Sequence, residues 1–221
     1  MDFKNAQELL TLCEEKNLPI SEIMRIREIE LGETTAETVK EKMTRVLEIM
    51  KEAARSPIHK PVTSMGGLIG GESRKLSLHA QQKKELCGDL LQKAITYAMA
   101  TLETNASMGL IVASPTAGSA GIVPGLMLAM QEHYHFSDAK IIQALFNASA
   151  IGYLAMRNAT VAGAVGGCQA EVGVASAMAA SAAVELMGGT PEECTYAAST
   201  VLMNMLGLVC DPVGGDRKSV V

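Results

Sequence analysis

"GVASAMAASAAVELMGG", residues 173–189, is the stretch that decides the fold class of this chain. It consists mostly of alanine, serine, valine and methionine, and it ends at two glycines. Small side chains let neighbouring helix axes approach closely, while methionine fills irregular gaps between them. We therefore predict a buried helix with small faces, within an all-α fold that forms a compact helical bundle.

The N-terminal region has a different, amphipathic character. Apolar residues recur at helical spacing in "AQELLTLCEEKNLP" (6–19) and "TAETVKEKMTRVLEIMKEAARS" (35–56). We expect Asn17 and Pro19 to end the first helix, and Thr34 to cap the second in a capping box with Glu37. The charge thins after residue 56; we predict that residues 56–76, rich in glycine and proline, form a loop and that a helix runs from about Lys75 to Leu102. The organisation predicted is an N-terminal helical segment, 1–55, packed on a larger domain, 56–221, in one structural domain.

Composition excludes several classes of protein. The net charge is -5 and aromatic residues make up 3% of the chain, which argues against nucleic-acid binding. Charged residues and prolines interrupt the apolar runs, so no membrane span is expected. The five cysteines do not form the dense, evenly spaced pattern of a disulfide framework, and the N-terminus does not resemble a secretory signal. Both features indicate a reducing, cytoplasmic setting.

Three glycine-rich segments are candidates for a binding site: residues 63–73, 105–125 and 162–173. In "SPTAGSAG" (114–121), Pro115 fixes one φ angle, and Thr116, Gly118 and Ser119 offer donors for a carboxylate. The alternative is that the glycines are helix caps and close-packing points in an alanine-rich bundle. None has the spacing of a phosphate loop, and no strand precedes "GLIGGES" as a dinucleotide fingerprint requires.

Two cysteines lie beside glycines. Cys168 is in "AVGGCQAEVG" (164–173), and Cys210 is in "MLGLVCDPVGG" (205–215). A thiol between glycines can be reached by a large group such as a metal cluster or a substrate. The separation of the two cysteines along the chain is by itself weak evidence for a shared site. Cys13, Cys87 and Cys194 are predicted to be packing residues in helices.

These motifs together resemble the iron–sulfur-dependent L-serine dehydratases. The matching segments are "SPTAGSAGIVPG", "GGCQAEVG", "SAMAASAAVELMGGTPEE" and "LGLVCDPVGG", and the resemblance to the catalytic α portion covers about residues 60–215. It implies conversion of L-serine to pyruvate and ammonia by a mainly helical protein without pyridoxal phosphate. It also implies a β-subunit partner and a possible homo- or hetero-oligomer.

The same resemblance implies a [4Fe–4S] cluster held by three cysteines, with Cys168 and Cys210 as two of them. The open iron would act as a Lewis acid on the serine hydroxyl. For contacts with substrate we expect Ser64, Thr116 and Ser119, with Asn105, Ser107 and Gly118 as further candidates. The general base is not identified by the sequence, and its candidates are Ser119, Lys75 and His59.

The end of the chain departs from the family pattern. That pattern runs on to a Val-x-x-Pro-Cys element, whose cysteine is the third cluster ligand and would fall at residue 221. Here the chain reads "CDPVGGDRKSVV", and the position is Val221. We expect a chain truncated or altered at its C-terminus, without an intact cluster and inactive alone. Two rival functions stay open: a different iron–sulfur hydro-lyase, and a non-catalytic helical subunit that binds a partner.

Overall fold

The computed structural model of the chain describes residues 1–82 and 87–207. Within these ranges every regular element is an α-helix, which confirms the predicted all-α fold. The helices are α1 Ala6–Lys16, α2 Ile20–Leu31, α3 Ala36–His59, α4 Glu72–Ala80, α5 Gly88–Ala106, α6 Ile122–Tyr134, α7 Asp138–Asn158, α8 Gly163–Leu186 and α9 Pro191–Met205. Of the described helices, none combines the length and apolar character that crossing a bilayer requires.

Helix α1 follows the prediction and is capped at both ends. The Asn5 side chain accepts a hydrogen bond from the Glu8 amide, and Asn17 adopts a left-handed conformation (φ 53°) that ends the helix. Helix α2 was not apparent in the sequence. It begins one residue after Pro19, the residue expected to end α1. Its charges are distributed too evenly for an apolar stripe to stand out.

Helix α3 differs from the prediction at both ends. It begins at Ala36, so Thr35 and not Thr34 directly precedes it. It continues past Ser56, where the sequence predicted a loop, and includes Pro57. Proline has no amide hydrogen, so the Ala53 carbonyl loses its helical donor. The Thr104 hydroxyl donates to that carbonyl at 2.8 Å and replaces the missing bond.

The single helix predicted from about Lys75 to Leu102 is wrong. Two helices occupy this region: α4 ends at Ala80 and α5 begins at Gly88. Gly88 has a φ of +80°, which L side chains rarely adopt and which interrupts a helix. The apolar periodicity of both segments concealed this break.

The chain divides into two compact units. The central unit is Glu37–Ile142, and the discontinuous unit combines Met1–Ala36 with the described residues from Gln143 onward. Helix α7 begins in the central unit and continues into the discontinuous one. The predicted organisation, with an N-terminal segment 1–55 and a domain 56–221, stays a prediction.

In the central unit, helices α5 and α6 pack closely because α6 begins with small residues. A Cβ atom at Gly121 would lie 2.4 Å from the Ala98 carbonyl oxygen, and one at Gly125 would lie 2.8 Å from the Ala94 carbonyl oxygen. These two glycines are therefore close-packing points, as the structural alternative for the glycine-rich segments predicted. The close packing sets the position of the loop between the two helices.

In the discontinuous unit, a buried polar network joins α2, α7 and α8. Asn147 has no exposed surface; it donates to Glu185 at 2.6 Å and accepts from the Ser181 hydroxyl at 2.6 Å. The Ser21 amide donates to the same Glu185 oxygen at 3.2 Å. Around this network the small residues of α8 are buried, which confirms the buried helix predicted from residue 173.

Candidate functional site

The segment Ser114–Gly121, between α5 and α6, forms the hydroxyl loop. The Ser114–Pro115 peptide bond is cis. Beyond it the side-chain oxygens of Thr116 and Ser119 lie 3.1 Å apart, within hydrogen-bond distance. Ser119 is 2% exposed and Thr116 is half-buried. The structure therefore brings two predicted substrate residues together just before α6, at the end of the helix whose dipole favours an anion.

Two other predicted residues support this loop from the end of α5. The Asn105 side-chain amide donates to the Ala117 carbonyl at 3.0 Å, which ties the loop to the helix. The Ser107 hydroxyl donates to the Thr104 carbonyl at 3.1 Å and closes the last turn of α5. Gly118 is exposed within the loop. Asn105 and Ser107 thus both donate to backbone carbonyls of the protein.

Ser114 was missed by the sequence prediction. It is 5% exposed, and its side-chain oxygen has no hydrogen-bond partner among the described residues. A buried hydroxyl without a partner is unfavourable, so such a group in a loop is suited to bind something else. The available signal was its position as the first residue of "SPTAGSAG".

Ser64 closes a separate turn between α3 and α4. Its backbone amide donates to the Ile69 carbonyl at 2.8 Å, and its side-chain oxygen accepts from the Ile69 amide at 3.1 Å. Gly70 is needed here because a Cβ atom would lie 2.1 Å from the Val62 carbonyl oxygen. The Ser64 hydroxyl shapes this turn and keeps its own hydrogen as a donor.

The three candidate bases lie in different surroundings. Ser119 is buried in the hydroxyl loop. Lys75 is exposed on α4, and His59 is exposed at the end of α3, where its carbonyl accepts from Arg74 at 3.0 Å. His59 also borders a cavity that contains neither Thr116 nor Ser119. Among the three, Ser119 is the one that belongs to the hydroxyl loop itself.

Cys168 lies at a kink in α8. Gly167 has φ 77° and ψ 170°, which interrupts the helix, so Cys168 begins the continuous stretch to Leu186. Its thiol is half-buried, and the next side chain, Gln169, accepts a hydrogen bond from the Gly207 amide at 3.3 Å. A thiol at a helix N-terminus is favoured in its thiolate form, the form that binds metal.

The other cysteines differ in burial. Burial raises the pKa of Cys13 to about 12 and that of Cys194 to about 11, so both are protonated packing residues, as predicted. Cys87 is exposed directly before α5, and its predicted burial is wrong. Cys210 and Val221 lie outside the described residues.

The described residues fit one cluster ligand and no complete cluster site. Among them, no group of three or more His, Cys, Asp or Glu side chains is arranged to hold a metal ion. Cys168 alone combines partial burial, a glycine kink and a helix N-terminus.

The fold and these segments define an all-α protein with a hydroxyl-bearing loop at a helix N-terminus and a half-buried thiol at a helix kink. The family described as "Serine dehydratase alpha chain" matches residues 15–219. The chain belongs to this family.

Named relatives match nearly the whole chain. It is 46% identical over 213 residues to the "Probable L-serine dehydratase, alpha chain" of Bacillus subtilis (strain 168), covering 96% of this chain and 71% of the relative. It is 41% identical over 213 residues to the "L-serine dehydratase, alpha chain" of Peptoniphilus asaccharolyticus, covering 96% and 73%. The "L-serine dehydratase" of Helicobacter pylori (strain ATCC 700392 / 26695) is 36% identical, covering 97% of this chain and 48% of that protein.

Proposed function

We propose that this chain is the α chain of an L-serine dehydratase, a lyase that converts L-serine to pyruvate and ammonia in the cytoplasm together with a β chain. Membership of the family along residues 15–219 is the observation that carries the proposal. The hydroxyl loop supports it, because it offers suitable groups for a small carboxylate substrate.

The substrate carboxylate is proposed to bind at the hydroxyl loop. The Thr116 and Ser119 oxygens lie 3.1 Å apart, so the two groups can face one carboxylate. The following turn of α6 adds the favourable electrostatics of a helix N-terminus. Asn105 holds the loop in place through Ala117, and exposed Gly118 is proposed as a further contact. Ser64 and Ser107 are proposed as further substrate contacts.

The reaction requires removal of the α-proton and departure of the β-hydroxyl. A base on the protein takes the proton, and the hydroxyl leaves with a proton as water. The resulting 2-aminoacrylate rearranges to an imine, and one water molecule hydrolyses it to pyruvate and ammonia. The water released equals the water used, so L-serine yields the two products without net change in other reactants. Ser119, Lys75 and His59 remain the candidate bases.

Cys168 and Cys210 are proposed to be two ligands of a [4Fe–4S] cluster. When bound, such a cluster supplies a Lewis acid that assists the departure of hydroxide, a poor leaving group. The position of Cys168 at a helix N-terminus supports its role, because that environment favours a thiolate. The family pattern puts a third cysteine at position 221, where this chain has Val221.

Anaerobic reconstitution with iron and sulfide, in the presence of a dehydratase β chain, tests the proposal. Visible charge-transfer absorbance reports the cluster, and pyruvate and ammonia release from L-serine reports turnover. The set comprises the unaltered chain, Val221→Cys, and Val221→Cys combined with Cys168→Ala or with Cys87→Ala. Cys87 is the matched control because it is an exposed cysteine outside the proposed ligand set.

We expect Val221→Cys to hold more cluster than the unaltered chain and to release both products. Cys168→Ala should abolish the absorbance and the turnover, whereas Cys87→Ala should keep them. A chain that gains cluster but releases no ammonia from L-serine would contradict the dehydratase function and favour another hydro-lyase. Equal absorbance in the Cys168→Ala and Cys87→Ala proteins would contradict the ligand assignment alone.

A further inference from the structure

The cavity of the central unit that His59 borders is lined by several charged side chains. It has a volume of about 430 Å³ and is bordered by α3, α4, α5 and α6. This volume is in the range of small-molecule sites. The cavity shares no lining residue with the hydroxyl loop, and the one candidate base that borders it is His59. Lys93, one of its two charged lining residues on α5, precedes Asn105 by 12 positions, which is about 18 Å along the helix axis.

The charges that line this cavity balance. Arg55 and Lys93 supply two positive charges, and Asp89 and Glu132 supply two negative ones. They are arranged in contact: Lys93 lies 3.2 Å from Asp89 and 3.8 Å from Glu132, while Arg55 lies 3.1 Å from Glu132. A site with adjacent charges of both signs suits a ligand that carries both signs itself, and it suits a dianion or a dication poorly.

Glu132 is held in position and orients Arg55. Its Oε1 atom accepts from Tyr97 at 2.7 Å and from Nη2 of Arg55 at 3.1 Å. Burial, with the hydrogen bond to Glu132, raises the pKa of Tyr97 to about 12, so its hydroxyl remains a donor. A guanidinium group carries five N–H donors, so Arg55 can donate to a carboxylate while it keeps its hydrogen bond to Glu132.

The same side chains can be reached from solvent. The Arg55 and Lys93 side chains are 39% and 36% exposed, and Asp89 is 53% exposed. Neutral polar side chains add to the lining: Ser77 and Gln92 come from α4 and α5. The cavity thus combines accessible charges of both signs with uncharged hydrogen-bonding groups.

We propose that this cavity binds a small zwitterion of the α-amino acid class, with its carboxylate at Arg55 and Lys93 and its ammonium group at Asp89. The charged groups of such a ligand are separated by one carbon atom, which matches the adjacent cationic and anionic groups of the lining. Solvent screening of partly exposed charges makes millimolar affinity the expectation. This proposal does not depend on the dehydratase function.

Amide chemical shifts of the full chain, titrated with three probes, test the proposal. L-alanine carries both charges and has no hydroxyl to eliminate; propionate lacks the ammonium group; ethylammonium lacks the carboxylate. We expect L-alanine to shift the amides of Tyr97 and Glu132 with saturation, and either single-charge probe to bind at least about tenfold more weakly, the effect of one lost charge-assisted hydrogen bond.

Variants locate the binding. Lys93→Met and Asp89→Asn should each raise the L-alanine dissociation constant about tenfold, and Lys93→Arg should restore it. The matched controls are Lys51→Met and Asp138→Asn, which break a 2.6 Å ion pair of the same unit outside the cavity. We expect both controls to bind L-alanine as the unaltered chain does. Asp89→Asn replaces an exposed side chain, so it provides a test even where Lys93→Met unfolds the protein.

Three results would overturn the proposal: unshifted Tyr97 and Glu132 amides at saturating L-alanine, equal affinity for propionate, or unchanged affinity in both cavity variants. The Ser119 amide separates this outcome from the dehydratase function. Shifts at Ser119 with none at Tyr97 would leave the proposed substrate site intact and reject the cavity. Shifts at Tyr97, together with a reconstituted enzyme that has no activity, would support the cavity and reject the dehydratase function.

Discussion

Ser73 donates two hydrogen bonds to Glu103: its amide to Oε1 at 2.8 Å, and its hydroxyl to Oε2 at 2.7 Å. Both residues are buried, and Glu103 is 2% exposed. Ser73 lies in the first turn of α4, so the carboxylate also satisfies a helix N-terminus. The pair joins the start of α4 to the end of α5, two residues before Asn105. It therefore fixes the element that supports the hydroxyl loop.

Replacing Ser73 by alanine should destabilise the protein. The change leaves Oε2 of the buried Glu103 without its hydroxyl donor, and an unsatisfied buried acceptor costs about 1–3 kcal/mol. The free energy of unfolding in urea measures the effect. Thr44→Ala is the control, because it removes a hydroxyl that bonds to Lys40 in an exposed setting, and its change should stay within about 0.5 kcal/mol. Equal losses in the two variants would contradict a special role for the buried pair.

Gly167→Ala should weaken the kink before Cys168. A Cβ atom at this position meets nothing within 4 Å, so the penalty is conformational: φ 77° with ψ 170° is a region for glycine, and it costs an L residue about 1–3 kcal/mol. Thermal unfolding measures the loss. Gly173→Ala is the control in the same helix, because its Cβ would meet Leu202 and Met205 at an ordinary 3.6 Å. A control as destabilised as Gly167→Ala would show that helix packing and not φ is responsible.

Alkylation by iodoacetamide should separate the four described cysteines. The reagent must reach a thiolate, so exposed Cys87 and half-buried Cys168 at its helix N-terminus should both react well before buried Cys13 and Cys194. Burial raises the pKa of Cys194 to about 11. Below this value, each increase of one pH unit raises the thiolate fraction of Cys194 about tenfold. Peptide mass spectrometry at pH 8 and pH 9 measures each site. Labelling of Cys194 at the rate of Cys87 in the folded protein would contradict its burial.

The network around Asn147 should behave as a unit. Asn147→Ala removes a donor from Glu185 and an acceptor from Ser181, and we expect a loss of about 2–4 kcal/mol. Ser181→Ala should cost less. The double variant should lose less than the sum of the two, because the second change removes a hydroxyl already deprived of its acceptor. Urea unfolding of the four proteins measures the coupling, and strict additivity would argue against the network.

The sequence predicted the all-α fold class because segments rich in alanine and methionine are typical of closely packed, buried helices. It did not predict where α4 ends and α5 begins, since Gly88 interrupts a pattern that is apolar on both sides. It also ended α3 too early at Ser56. The reason is tertiary: the hydroxyl of Thr104, far away in sequence, satisfies the carbonyl that Pro57 leaves without a donor.

The hydroxyl loop was predictable in part. Thr116 and Ser119 were identified as candidates because their residue types suit a carboxylate, and the structure shows their oxygens within hydrogen-bond distance. Its residue type does not distinguish Ser114 from the other serines of the chain. That its hydroxyl is buried without a hydrogen-bond partner follows from the conformation of the loop, which the sequence does not reveal. The cavity at Arg55 and Lys93 was not predicted at all. Four separate helices contribute to it. Their side chains come together only through tertiary packing, which produces no recognisable pattern in any one segment of the sequence.

Thr116→Val, made in the Val221→Cys chain that is expected to hold the cluster, should weaken binding of L-serine by the enzyme reconstituted with a β chain. The substitution keeps the shape of the side chain and removes the hydroxyl that lies 3.1 Å from Ser119. Loss of one hydrogen bond to a charged carboxylate should raise KM about tenfold or more, with a smaller change in kcat.

Initial rates of pyruvate formation over a range of L-serine concentrations measure both constants. Thr44→Val is the matched control, because it removes a hydroxyl on α3 that bonds to the Lys40 carbonyl, and KM should be unchanged. A Thr116→Val enzyme with normal KM and greatly reduced kcat would assign this hydroxyl to the chemical step. Normal values of both constants would remove Thr116 from the proposed carboxylate site, and Ser119→Ala would then decide whether the loop binds substrate at all.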